Sequence, residues 1–253
     1  MSTVIVEQNG PVRTLWLNRP EKRNALDRAL LSAMIDALGA PVGAEDRVLV
    51  IRGKGPVFCS GLDMAERRGT IGSGDASGIE VMLRAIELCP LPVVAIVQGD
   101  AIAGGNELAL HCDLVVASET ARFGMSLAQV GLAPNWFLAK KLIEVLGPVT
   151  TREMLLLGDP LPATKLHRLG LIARCVPAEQ LEAEAGKVIE RLAANAPLSL
   201  KAMKALTVRQ QDFRDGIRHD DIDALVQAAM RSEDAQEGMK ARLEKRAPRF
   251  KGR

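Results

Sequence analysis

The sequence predicts an α/β core followed by a helical C-terminal arm. Short apolar runs rich in β-branched residues recur at 48–51, 93–97 and 114–117, a length that suits a buried strand better than a helix. Stretches with helical spacing lie between them, and from 178 to about 245 the pattern is almost wholly helical. The 253 residues, 47% hydrophobic and 25% charged, suffice for a sizeable core in one or two domains.

The elements follow in order. Residues 3–7 and 12–17, joined by Asn9-Gly10, carry a hairpin signal. Pro20 and the charges after it make a loop. Leu26, Leu30, Ala33, Met34, Ala37 and Leu38 share one helical face, interrupted at 39–43. The strand at 48–51 is closed by Gly53 and Gly55. Phe58-Cys59-Ser60-Gly61-Leu62-Asp63 then leads into a charged helical run at 64–68. This turn either exposes backbone N–H groups or is an ordinary loop with Asp63 as N-cap. Residues 69–78 are rich in Gly and Ser, a composition that favours a mobile loop. A helix over 79–88 ends at Cys89-Pro90-Leu91-Pro92.

The strand at 93–97 is followed by a turn at Gly99 and by Ala103-Gly104-Gly105, which opens a mostly apolar helix with one carboxylate, Glu107. The first N–H groups of a helix lack intrahelical partners and suit a developing negative charge. Glu107 is then either solvated near a favourable helix end or a working carboxylate in an apolar setting. Further on come a strand at 114–117, a short strand or loop around Phe123, a turn at 131–136, and helices over 137–146 and 150–157 separated by Gly147-Pro148. A short helix over 163–169 with Gly170 as its cap and a strand over 171–176 complete the mixed part.

A net charge of +2 makes no electrostatic case for nucleic acid. No apolar run approaches about 18 residues, so no membrane span is expected. The N-terminus lacks a signal-peptide pattern. Cys59, Cys89, Cys112 and Cys175 are scattered and suit reduced thiols in a cytoplasmic protein. The three histidines have no metal-ligand spacing; His111 lies four residues after Glu107 on the same helix face.

Taken together, Asn18-Arg19-Pro20 with Arg23-Asn24-Ala25-Leu26, the 58–63 turn, the run from Pro92 to Gly99, Ala103-Gly104-Gly105-Asn106-Glu107-Leu108-Ala109, Cys112-Asp113, Ala121-Arg122-Phe123-Gly124 and Glu244-Lys245-Arg246 resemble the crotonase (enoyl-CoA hydratase/isomerase) superfamily over nearly the whole chain. The resemblance implies a crotonase-like spiral of ββα units over 1–195 and a C-terminal helical trimerisation region over 196–253, assembled as a homotrimer or a dimer of trimers. It implies stabilisation of a thioester enolate of an acyl-CoA, with an oxyanion hole on the backbone N–H groups of Ser60 and Gly104. Each such donor contributes about 3–4 kcal/mol to a transition state. By the same resemblance Lys22, Arg23, Ala25, Gly61, Leu62 and Asp63 join Ser60 and Gly104 in binding the CoA thioester, and Lys245 reaches a CoA phosphate. Coenzyme A enters as part of the substrate; no other cofactor and no metal is implied.

One departure matters. Hydratases of this superfamily use two glutamates. The first matches Glu107; at the position of the second stands Leu127, which moves no proton. Leu127, Asn135 and Trp136 read as an acyl pocket. Glu66, Asp75 and Glu80 lie near the Gly/Ser-rich segment as substitutes, though solvated surface is the default for such residues. The expected function is an enoyl-CoA hydratase/isomerase-type enzyme, a lyase or isomerase of fatty acid metabolism, with Glu107 as its single catalytic carboxylate. The alternatives are a non-catalytic acyl-CoA or fatty-acyl binding protein, and CoA-ester hydrolysis or decarboxylation in the same hole.

Overall fold

A computed structural model describes residues 2–66 and 77–253. The Gly/Ser-rich segment up to residue 76, Asp75 and the end of the charged run after Glu66 lie outside the described residues. In chain order the strands are β1 (Val4–Asn9), β2 (Val12–Leu17), β3 (Val48–Gly53), β4 (Val93–Val97), β5 (Ala101–Ile102), β6 (Leu114–Ser118), β7 (Arg122–Gly124), β8 (Leu161–Pro162) and β9 (Arg174–Val176). The helices are α1 (Arg28–Gly39), α2 (Ser77–Leu88), α3 (Gly104–Leu110), α4 (Trp136–Arg152), α5 (Ala163–Arg168), α6 (Leu181–Ala194), α7 (Pro197–Gln211), α8 (Asp220–Arg231) and α9 (Glu233–Leu243).

The expected hairpin forms, with Asn9 opposite Val12 and Val4 opposite Leu17. From β2 onward the large sheet is parallel, in the order β1-β2-β3-β4-β6-β9. Parallel sheets are buried on both faces, which explains why these strands read as continuous apolar runs. Leu49, Ile51, Val93, Ala95 and Val97 point into the main core with α1 and α2, whereas Val48, Val50, Val94 and Ile96 meet Leu181 and Ala185 of α6 on the other face. Strands β5, β7 and β8 form a second, smaller sheet. It carries the chain from β4 to α3, where Ala103 N–H donates to Gly124 O at 2.7 Å.

The local signals for ends and breaks act as their chemistry demands. Asp27 caps α1 by accepting Leu30 N–H at 2.8 Å. The helix expected to stop at Gly147-Pro148 does so: Gly147 takes φ +66 and ψ 169, outside the helical region, and two helical segments meet across this kink within α4. The helical region beyond 195 is docked on the core. An added Cβ on Gly238 of α9 would stand 2.4 Å from the backbone of Val130, so only glycine permits this approach. Among the described residues no helix is long and apolar enough to cross a membrane.

Candidate functional site

The loop before α1 is organised by Asn24, fully buried at φ +53. Its side-chain amide donates to the carbonyls of Lys54, Val57 and Phe58, and its oxygen accepts Arg19 N–H at 2.9 Å. Arg19 in turn pairs with Asp27 at 3.1 Å and Asp63 at 3.2 Å. The 18–26 loop is thereby clamped to the 58–63 turn. Bonds between residues so distant in sequence are not visible as spacing, and Asn24 carries no signal of this role beyond its place in the motif.

The same turn abuts the start of α3. An added Cβ on Gly61 would lie 3.0 Å from Gly104 N, and one on Gly105 would lie 2.2 Å from Cys59 O. The two small-residue turns are therefore in van der Waals contact, and both open onto one cavity of about 310 Å³. Ser60, Leu62 and Gly104 line it beside Ile79, Glu80, Leu127, Asn135 and Leu138, and α8 and α9 close it with Gln227, Met230 and Arg242. The boundary expected at 195 does not separate the site from the helical region.

The amide expected at Ser60 is already used: Ser60 N–H donates to Arg23 O at 3.1 Å. Leu62 is differently placed. Gly61 O accepts Leu26 N–H at 2.8 Å, and in a planar trans peptide the N–H of Leu62 points opposite to that carbonyl. Leu62 N–H is thus turned off its neighbouring strand-like segment, and Gly104 N–H stands at the first helical position, where no intrahelical acceptor exists. Of the two residues, 62 rather than 60 has its amide turned away from the neighbouring backbone acceptor.

Glu107 is fully buried, and it is not among the residues that line the cavity. Among the described residues neither of its carboxylate oxygens has a hydrogen-bond partner. Burial pushes its carboxyl well above the ordinary range, with the Lys141 ammonium pulling against the shift. His111 Nδ1 lies 3.7 Å from its Oε2 and 2.7 Å from its backbone oxygen. Burial first, and then Lys141, holds His111 down to about 3, so the ring is neutral at physiological pH. Lys141 itself is neutralised by Glu87 at 2.6 Å.

The carboxylate that lines the cavity is Glu80. Asn135 Nδ2 donates to its Oε1, while Asn135 Oδ1 caps α4 by accepting Leu138 N–H at 3.0 Å. Burial raises the Glu80 carboxyl above its ordinary value and the Asn135 hydrogen bond pulls it part of the way back. Sequence reading gave this residue little weight, because the helical phase that aims it into the cavity depends on how α2 packs.

Of the expected acyl-pocket residues, Leu127 and Asn135 line the cavity; Trp136 is turned away and stacks on His219 with ring centroids 4.4 Å apart. Lys22, Arg23 and Lys245 are exposed and Ala25 is buried; none of them, nor Gly61 or Asp63, lines the cavity. Glu66 accepts Arg28 N–H at 3.0 Å and is likewise outside it. The four cysteines are free thiols, and burial pushes Cys59, beside the turn, up to about 12, which leaves it unreactive. Among the described residues no cluster of three His, Cys, Asp or Glu could hold a metal ion.

Comparison with known proteins agrees with this architecture. A family model described as enoyl-CoA hydratase/isomerase matches residues 7–253. The chain is 33% identical over 257 residues to a 2,3-dehydroadipyl-CoA hydratase of Escherichia coli, covering 100% of both chains. It is 32% identical to an enoyl-CoA isomerase/hydratase of Mycosarcoma maydis, covering 94% of this chain and 92% of that one. Among solved structures, methylmalonyl-CoA decarboxylase in complex with 2-nitronate-propionyl-CoA superposes with a TM-score of 0.92 at 26% identity, covering 99% of each chain. An enoyl-CoA hydratase from Mycobacterium avium subsp. paratuberculosis superposes with a TM-score of 0.84 at 30% identity, covering 98% of each. With its fold and its whole length so matched, the chain belongs to the enoyl-CoA hydratase/isomerase family and has the crotonase fold.

Proposed function

We propose that this protein is an acyl-CoA enzyme that holds a thioester enolate between the N–H groups of Leu62 and Gly104 and moves a proton at the acyl chain. The observation that carries the reading is that both turns, from distant parts of the chain, line one largely apolar cavity. Coenzyme A enters and leaves as part of the substrate. In the hydratase/isomerase reading the hole takes the charge that develops on the thioester oxygen, as preorganised donors do most effectively in a water-poor site. Burial of Glu107, one turn into α3, raises its carboxyl well above the ordinary range and so disfavours an ionised group that would oppose that charge. Because Leu127 supplies no second acid, double-bond isomerisation, which needs one proton carrier, fits better than a two-carboxylate hydration.

Decarboxylation is the second reading. It is supported by the TM-score of 0.92 to methylmalonyl-CoA decarboxylase and by the same lack of a second acid at Leu127. We further infer a cytoplasmic homotrimer or dimer of trimers, supported by the apolar residues that α7 and α8 leave exposed.

The test is a panel of 2-enoyl-CoA and 3-enoyl-CoA esters, from crotonyl-CoA upward, together with methylmalonyl-CoA. Conjugated-thioester absorbance and released carbon dioxide are followed. Change in absorbance supports the hydratase/isomerase reading, and carbon dioxide release supports decarboxylation. Saturable acyl-CoA binding with neither signal, and without exchange of acyl protons in heavy water, would make the protein a non-catalytic binder and sink the proposal.

A further inference from the structure

The cavity holds a carboxylate that the motif positions do not supply. Glu80 projects from α2 into it, half-buried, and is the only acidic side chain among the described residues lining it. It is held from across the cavity by Asn135. The orientation of Asn135 is set by its other bond. Its Oδ1 is committed to the α4 N-terminus, so its amide NH₂ is the end presented to Glu80. That leaves Glu80 with one oxygen engaged and the other without a partner among the described residues, in the same cavity as Gly104 and Leu62. Glu107, by contrast, is fully buried and is not among the residues that line it.

We propose that Glu80 is the proton-transfer residue of this enzyme, acting at the carbon next to the thioester, and that Asn135 positions it. The inference rests on the enolate reading of the cavity. In the forward step the free oxygen of the Glu80 carboxylate takes a proton from C2 of a 3-enoyl thioester. The C2–H electron pair becomes the C1–C2 double bond of the enolate, and the negative charge moves to the thioester oxygen between the two N–H groups. In the return step the Glu80 carboxylic acid gives the same proton to C4, the double bond settles between C2 and C3, and the thioester carbonyl re-forms. No co-reactant is consumed. Burial supports the role by bringing the carboxyl nearer to the pH at which it works in both directions.

Among the described residues the charged and titratable surroundings are few. Arg242 of α9 is the other charged side chain among the described residues that line the cavity. On its own helix, one turn on, Arg84 is occupied with Glu87 and Asp215.

The experiment follows deuterium incorporation at C2 of saturated acyl-CoAs (butyryl-, hexanoyl- and octanoyl-CoA) in heavy water by mass spectrometry. Wild type, Glu80→Gln, Glu80→Asp, Asn135→Ala and Glu107→Gln are compared, with acyl-CoA affinity measured in parallel. Wild type is expected to exchange. Glu80→Gln should lose exchange by about 100-fold or more while acyl-CoA affinity changes little, and Glu80→Asp should lose less. Asn135→Ala removes the hydrogen bond that favours the carboxylate, so the rising limb of its pH–rate profile should move to higher pH; a purely structural role would lower the rate without moving that limb. A folded Glu80→Gln that exchanges like wild type overturns the inference. If Glu107→Gln then proves inactive, the proton belongs to Glu107 and the enolate reading stands. Acyl-CoA binding to wild type without exchange of any ester overturns the enolate reading and this inference with it.

Discussion

Glu107 and His111 lie on one face of α3, and burial drives them in opposite directions. The Glu107 carboxyl rises well above 4.5, so the folded state holds that proton more tightly than the unfolded chain. Its contribution to stability is complete below 4.5 and declines as pH rises toward the folded value. His111 falls from 6.5 to about 3, so its contribution is complete above 6.5 and is lost as pH falls toward 3. Between 4.5 and 6.5 the two slopes, each up to about 1.4 kcal/mol per pH unit, oppose one another. In urea unfolding, wild-type stability should therefore rise with pH above 4.5 less steeply than the His111 slope alone would give. Glu107→Gln removes one slope, and its stability should climb with pH across the same range; parallel profiles for the two proteins would show that Glu107 is solvated after all. The sequence left both environments open for this carboxylate, because a glutamate in the first turn of a helix satisfies the dipole whether or not the helix is covered.

At the scale of the element, the approach of α3 to the 58–63 turn sets the site, and two adjacent glycines contribute unequally to it. A methyl at Gly105 meets the Cys59 carbonyl, which is backbone and cannot move aside. A methyl at Gly104 meets the ends of the Ile79 and Leu26 side chains, at 2.9 and 3.1 Å, which can. Gly105→Ala should cost about 1–3 kcal/mol in chemical denaturation, and Gly104→Ala clearly less. Equal losses would mean that the contact between the turns is looser than described. Ala103-Gly104-Gly105 was legible as a helix-opening turn, since small residues after a strand announce it. Its partner turn was legible as well. The donating residue within that partner was not, because the direction of each N–H is set by bonds to Arg23 and Leu26, more than thirty residues earlier in the chain. Glu80, named only as one of three substitutes with solvated surface as the default, could not be singled out for the same reason, since the side chain that meets it, Asn135 at the N-cap of α4, lies 55 residues away in sequence.

For the whole molecule, the C-terminal helices present apolar side chains to solvent. Leu198, Met203, Leu206, Phe213 and Leu225 are each between 60% and 80% exposed in the single chain. So much exposed apolar surface marks an association site. With the proposed trimer, sedimentation of Leu206→Glu combined with Phe213→Glu should show a shift to smaller species; an unchanged oligomer would place the interface elsewhere. Both α8 and α9 also close the cavity, through Gln227, Met230 and Arg242, so with the proposed function the same double variant should weaken acyl-CoA binding in titrations if assembly braces these helices.

By itself the sequence determined the alternation of strands and helices, the buried character of the central strands, the breaks at glycine and proline, and the two turns that carry the family's pattern. Those properties reside in side-chain periodicity and in residues with special backbone freedom, which act over a few neighbours. Only the tertiary structure decided that Ser60 spends its amide on Arg23, that Trp136 stacks on His219 outside the cavity, and that Glu80 lines the cavity while Glu107 is buried and does not. Each of these is a matter of direction. The direction of an amide or a carboxylate is set by what it meets across the core, and local composition does not encode that partner.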